Sequence, residues 1–100
     1  MKFALHFANI TLPDPEDAKR LALAAEAAGF ESLITIEHVV WPWQYDSTYP
    51  YGASGKLPWT AETPLPDPLI WMAYLAGITQ RLRFITGVMI LPQRNPLVLA

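Results

Sequence analysis

Glu37 and His38 stand side by side where the apolar, β-branched run Ser32–Ile36 gives way to a proline-rich segment. A carboxylate next to an imidazole at the end of a buried strand can ligate a metal, act as an acid–base pair or hold a cofactor. The same pair also reads as a capped, satisfied histidine in a loop. Just downstream, Trp41, Trp43, Tyr45, Tyr49, Tyr51 and Trp59 gather six of the chain's twelve aromatic residues into one stretch. Such rings make a wall for a planar or apolar ligand, or pin a loop to its scaffold. The third place is Thr86–Gly87–Val88, within an apolar run. A glycine inside a strand marks a bulge, a close backbone approach or tight packing. His6 lies on the first apolar segment and reads most simply as a packed residue. No glycine-rich phosphate loop, nucleophile elbow or His-Glu-x-x-His helix is present.

The elements that must position these residues follow from pattern. Residues 2–8, KFALHFA, read as a strand buried on at least one face, and Asn9–Pro13 as a loop. Asp14 is a good N-cap, Pro15 fits the first helical position, and Glu16 and Asp17 suit the positive end of the helix dipole. Ala18, Leu21, Ala22, Ala25 and Ala28 keep the spacing of one buried helix face, and Gly29 ends it. Residues 32–37 make a second, buried strand, so the first two strands pair in parallel. Residues 38–66 hold five prolines and support no long regular element. A connection of that length is expected to be functional or disordered, and the aromatic content argues for order. Asp67 and Pro68 open a second helix to Gln80, with Leu69 or Ile70, Ala73, Tyr74 and Gly77 as its expected inner face. A third strand over 81–90 and a loop over 91–94 follow, and Asn95–Pro96 open a third helix.

Composition narrows the class. The 100 residues are 52% apolar and 16% charged, far from a disordered composition. The net charge is −2 and the seven Lys and Arg are scattered, so nucleic acid is not an expected partner. Cysteine is absent, which excludes disulfides, thiolate metal sites and a cysteine nucleophile. No stretch reaches the roughly 18 uninterrupted apolar residues of a membrane span, and the N-terminus lacks signal-peptide features. A cytoplasmic protein with no membrane partner is the expectation. Repeated β-α units mean an α/β fold. Three strands are too few for a (β/α)8 barrel, which takes eight and about 250 residues. An open three-stranded sheet would leave apolar edges bare. Residues 1–100 therefore read as the first three β/α units of one barrel domain, with a complete small three-layer domain as the alternative.

The stretches GFESLITIEHVV, YPYG and PDPLIWMAYLAGITQRLRFITGVMILPQRNPLVLA resemble the luciferase-like monooxygenase superfamily, and most closely its branch using the deazaflavin coenzyme F-420. The resemblance implies a (β/α)8 TIM barrel and hydride transfer between F-420 and an unknown small organic substrate. An FMN-dependent monooxygenase is the alternative within the superfamily. It implies His38 as the catalytic residue beside the reactive ring edge, with Glu37 orienting it or touching the cofactor. It implies Gly87 and Val88 as cofactor-binding, at a bulge with a non-prolyl cis peptide. Trp41 and Trp43 would enclose the substrate. Phosphate-binding residues would lie in later loops, and the full-length protein would form a homodimer. Two readings of other classes remain. One is a metal-dependent barrel hydrolase using Glu37 and His38, which would need further ligands at other strand ends. The other is a catalytically incompetent fragment.

Overall fold

The structure, a computed structural model, describes residues 1–100. Its elements run β1 (Ala4–Leu5), α1 (Ala8–Thr11), α2 (Pro15–Ala27), β2 (Ser32–Thr35), α3 (Pro68–Ala76), β3 (Arg83–Thr86) and α4 (Pro96–Leu99), with a 3-10 turn at Leu91–Gln93. The strands form one parallel sheet in the order β1-β2-β3. Ala4 lies opposite Ser32, Leu5 opposite Leu33, and Ser32–Thr35 align with Arg83–Thr86. The α/β class expected from the repeated units is therefore present. No helix is long and apolar enough to cross a membrane.

The starts of α2, α3 and α4 share one device. Asp14 Oδ1 accepts from the N–H groups of Glu16 (2.9 Å) and Asp17 (3.2 Å). Asp67 Oδ1 accepts from Leu69 (2.9 Å) and Ile70 (3.1 Å), and Asn95 Oδ1 from Leu97 (2.9 Å). A proline follows each cap, where its missing N–H costs nothing. At the other end of α2, Gly29 takes φ +82°, the left-handed turn expected there.

β1 is much shorter than residues 2–8. Phe7 takes a left-handed conformation (φ 59°) and turns the chain into α1, one helical turn where a loop was expected. The fully buried Asn9 then replaces the lost ladder. Its Nδ2 donates to the Ile36 carbonyl (2.8 Å) and its Oδ1 accepts from the Ile36 N–H (3.0 Å). β3 is also shorter than residues 81–90. The Gly87 and Val88 N–H groups both point at the Thr35 carbonyl, at 2.8 and 3.4 Å, and this doubled contact ends the regular pairing.

The core lies on the face of the sheet covered by α2 and α3. Ala18, Ala22 and Ala25 bring α2 close to the sheet, and Leu33 of β2 packs with Trp71, Leu75 and Leu82. Ala28 is exposed because the helix has already ended. The expected inner face of α3 is a wrong phase. Ile70, Ala73, Tyr74 and Gly77 are exposed, and Pro68, Trp71 and Leu75 are buried. Every residue of Pro68–Ala76 is apolar or aromatic, so no polar face indicates which side looks outward.

Candidate functional site

The C-terminal ends of β2 and β3 bring the chemistry-bearing residues together. Glu37 follows β2 and its side chain is 2% exposed. A buried carboxylate needs partners. One oxygen accepts from the Ile90 N–H at 2.5 Å, and the other is ion-paired to the guanidinium of Arg94. The same Arg94 nitrogen, Nη2, donates to Asp67 Oδ2 at 2.7 Å. Asp67 thus caps α3 with one oxygen and holds Arg94 with the other. Burial pushes the Asp67 carboxyl upward, but the Ile70 N–H and Arg94 outweigh it and hold the group below its ordinary value. Glu37 and Asp67 in turn raise the Arg94 pKa.

His38, the next residue, is exposed. In extended chain, successive side chains leave on opposite sides, which separates the buried Glu37 from its neighbour. His38 Nδ1 lies 2.8 Å from the Val40 carbonyl. A carbonyl only accepts, so Nδ1 carries the hydrogen, and Nε2 of the neutral ring is left with its lone pair free. The Trp41 ring packs against the imidazole, with centroids 4.6 Å apart.

A cleft of about 730 Å³ opens over these strand ends. Its polar side holds His6, Glu37 and His38, and its apolar side holds Phe7, Ile36, Leu57 and Val88 together with the rings of Tyr49, Tyr51 and Trp59. The long loop therefore folds back over the sheet. Phe7 and Trp59 sit with centroids 6.0 Å apart, and Tyr49 meets Tyr51 edge-on at 5.5 Å. Inside the loop, Lys56 donates to the Tyr45 carbonyl (3.1 Å) and lies 4.6 Å from the Tyr45 ring centroid, while the Tyr45 hydroxyl accepts from the Leu57 N–H (3.2 Å).

The residues singled out in the sequence are placed unequally. Glu37, His38 and Val88 line the cleft, and so does His6. Gly87 does not. A Cβ there would stand 2.6 Å from Ile34 Cγ2, 3.1 Å from His6 Nε2 and 3.1 Å from the Thr35 carbonyl oxygen. Its lack of a side chain serves close packing behind the cleft. The chain has no cis peptide bond, so the cis bulge expected at Gly87–Val88 is corrected to a trans bulge. Trp41 and Trp43 line a separate, smaller cleft of about 270 Å³ with Tyr45 and Trp59, and Trp43 is 81% exposed. No group of three or more His, Asp or Glu side chains converges into a metal-ligand cluster.

Arg94 was missed by sequence reasoning, and Asp67 was seen only as a cap. A signal existed for Arg94: it is the sole charged residue between Phe84 and Ala100. A lone cation in an apolar stretch calls for a distant acid, though nothing local says which.

Comparison with known proteins bears on the whole arrangement. Uncharacterized proteins of Mycobacterium tuberculosis and Mycobacterium bovis are each 38% identical to this chain over 80 residues. That stretch is 80% of this chain and 28% of each relative's length. No solved structure matches the chain. The family model for luciferase-like monooxygenases matches residues 3–100. With nearly its whole length matched, and with its histidine, acid and aromatic loop gathered at the ends of parallel strands, the chain belongs to the luciferase-like monooxygenase family.

Proposed function

We propose that this chain supplies the first three β/α units of a (β/α)8 barrel oxidoreductase that transfers hydride between coenzyme F-420 and an unknown small organic substrate. Family membership supports the oxidoreductase class. The observation that carries the reading is the cleft at the strand ends, walled by aromatic rings and holding His38 with Nε2 unpartnered. In a barrel the C-terminal ends of the strands carry the active site. The cleft volume falls within the usual range of small-molecule sites.

The residues present fit a flat ring system. Val88, Ile36 and the aromatic side chains offer apolar walls, and no unpaired cation lines the cleft. The coenzyme, when bound, supplies the hydride-carrying ring. His38 holds or takes a proton at Nε2, because Nδ1 is committed to Val40. Glu37 orients the strand end from behind, with both carboxylate oxygens already engaged. Tyr49 and Trp59, both half-buried, stand beside the polar side, while Tyr51 is 86% exposed. A homodimer and a cytoplasmic setting complete the proposal.

The test is titration of the full-length protein with F-420 and with FMN, read by fluorescence quenching. Binding of F-420 alone is the expected result. Preference for FMN would move the protein to oxygen-inserting chemistry, and binding of neither would overturn the oxidoreductase reading. His38→Ala should lower kcat by about 10²–10⁴-fold, the usual contribution of a positioned acid or base, with cofactor affinity little changed. An unchanged kcat would remove His38 from the chemistry.

A further inference from the structure

Residues 38–66 leave the sheet after Glu37 and rejoin it at Asp67, the cap of α3. Those two flanking acids lie 57 and 27 residues from Arg94 in sequence, yet Arg94 Nη2 donates to both. The Arg94 side chain is 17% exposed and that of Glu37 2%, so this arm of the bridge is shielded from water and salt, while Asp67, 42% exposed, forms the outer arm. Glu37 also accepts from the Ile90 N–H, in the segment that follows Val88. One guanidinium therefore fastens both ends of the aromatic loop to the segment after β3. Both segments line the cleft, the loop through Tyr49, Tyr51 and Trp59 and the stretch after β3 through Val88.

We propose that Arg94 is the positioning residue of this site, closing the base of the aromatic loop through Glu37 and Asp67 and so fixing where the loop's rings stand relative to Val88. The proposal deepens the cofactor reading above and rests on it for its effect on affinity. The physical case is independent of the ligand. A loop of this length samples many closures, and pinning its two ends removes most of them before anything binds. Arg94 does not line the cleft, and Glu37 is its one hydrogen-bond partner among the lining residues, so it acts through the loop. Lysine should replace it only in part: both contacts come from the single nitrogen Nη2, which an ammonium can imitate, but the lysine stem is shorter and its charge more strongly hydrated.

The experiment is hydrogen–deuterium exchange on the full-length protein, with cofactor titration in parallel. The variants are Arg94→Lys, Arg94→Met and the paired Glu37→Gln/Arg94→Met. The paired variant matters because Arg94→Met alone strands a buried carboxylate and can unfold the protein, whereas removing both charges is tolerated far better. The expected result for the paired variant is faster exchange at Ile90 and across residues 38–66, unchanged exchange in α2, and cofactor affinity at least tenfold weaker. Arg94→Lys should fall between it and the wild type. Wild-type exchange across 38–66 in the paired variant would overturn the proposal, as would a lower Tm with unaltered affinity. Failure of the wild type to bind either cofactor would count against the functional reading alone, with exchange still deciding whether Arg94 closes the loop.

Discussion

Glu37 and His38 show how adjacent residues acquire opposite roles. The carboxylate faces inward and is consumed by Ile90 and Arg94, while the imidazole is exposed and keeps one nitrogen free. Gly87 is the other position where a single atom decides. A methyl group there meets Ile34 and the Thr35 carbonyl, and the carbonyl is part of the sheet and cannot move aside. Gly87→Ala should cost about 1–3 kcal/mol as overpacking. It should also displace His6, whose Nε2 lies 3.1 Å from the added carbon. Equilibrium denaturation checks the first effect, and an unchanged midpoint would show that the strand end adapts freely.

Among the elements, α2 and α3 make a natural comparison. Both begin with Asp-Pro and both caps accept two backbone N–H groups, but only Asp67 also holds a cation. Asp14→Ala should cost about 1 kcal/mol, the usual value of a cap. Asp67→Ala should cost more, since it removes a cap and an acceptor of Arg94 together. Asp67→Asn keeps the cap oxygen and should lose only the excess. Thermal denaturation of the three variants orders them. Equal losses at Asp14 and Asp67 would mean that the outer link to Arg94 contributes nothing to stability.

Across the molecule, acids tie elements at both ends of the sheet. At the N-terminal end Glu31, beside β2, pairs with Lys2 (2.5 Å) and Arg83 (3.3 Å), the residues leading into β1 and opening β3. Glu26 of α2 reaches the turn before β3, where one oxygen accepts the N–H groups of Gln80, Arg81 and Leu82 at 2.9, 2.5 and 2.9 Å. The N–H groups of Arg81 and Leu82 hold the Glu26 carboxyl below its ordinary 4.5, and Lys2 does the same to Glu31. Asp67 lies below its ordinary 3.8 for the reasons given. A carboxyl lowered by folding stabilises the protein fully above its unfolded pKa, and that stability drains as pH falls through the folded one. The Tm should thus stay level from neutrality to about pH 5 and fall below 4.5. Glu26→Gln should make the acid-side fall shallower. A Tm that holds constant down to pH 3 would show these contacts to be without weight.

Much of this was legible in the residues themselves. Caps, prolines and glycines act within a turn of their own position, so Asp14, Asp67 and Asn95 announce helix starts and Gly29 announces an end. The alanine face of α2 is legible because polar residues occupy the other faces. The strand that leads to Glu37–His38 is legible from its β-branched run, though it was expected to reach Glu37 and stops at Thr35, and those residues with the 81–100 stretch carry the family. The inner face of α3 is not legible, because nothing polar distinguishes its sides. Nor is the choice of aromatic rings for the cleft, since every ring in the loop is equally able to bury itself. Asn9 with Ile36, Glu26 with the turn at 80–82, and Arg94 with Glu37 and Asp67 join residues 27 to 57 positions apart. Their partners are settled by which strand ends the parallel sheet brings side by side. Local chemistry determines that each of these groups needs a partner, and only the packing of β1, β2 and β3 decides which one it meets.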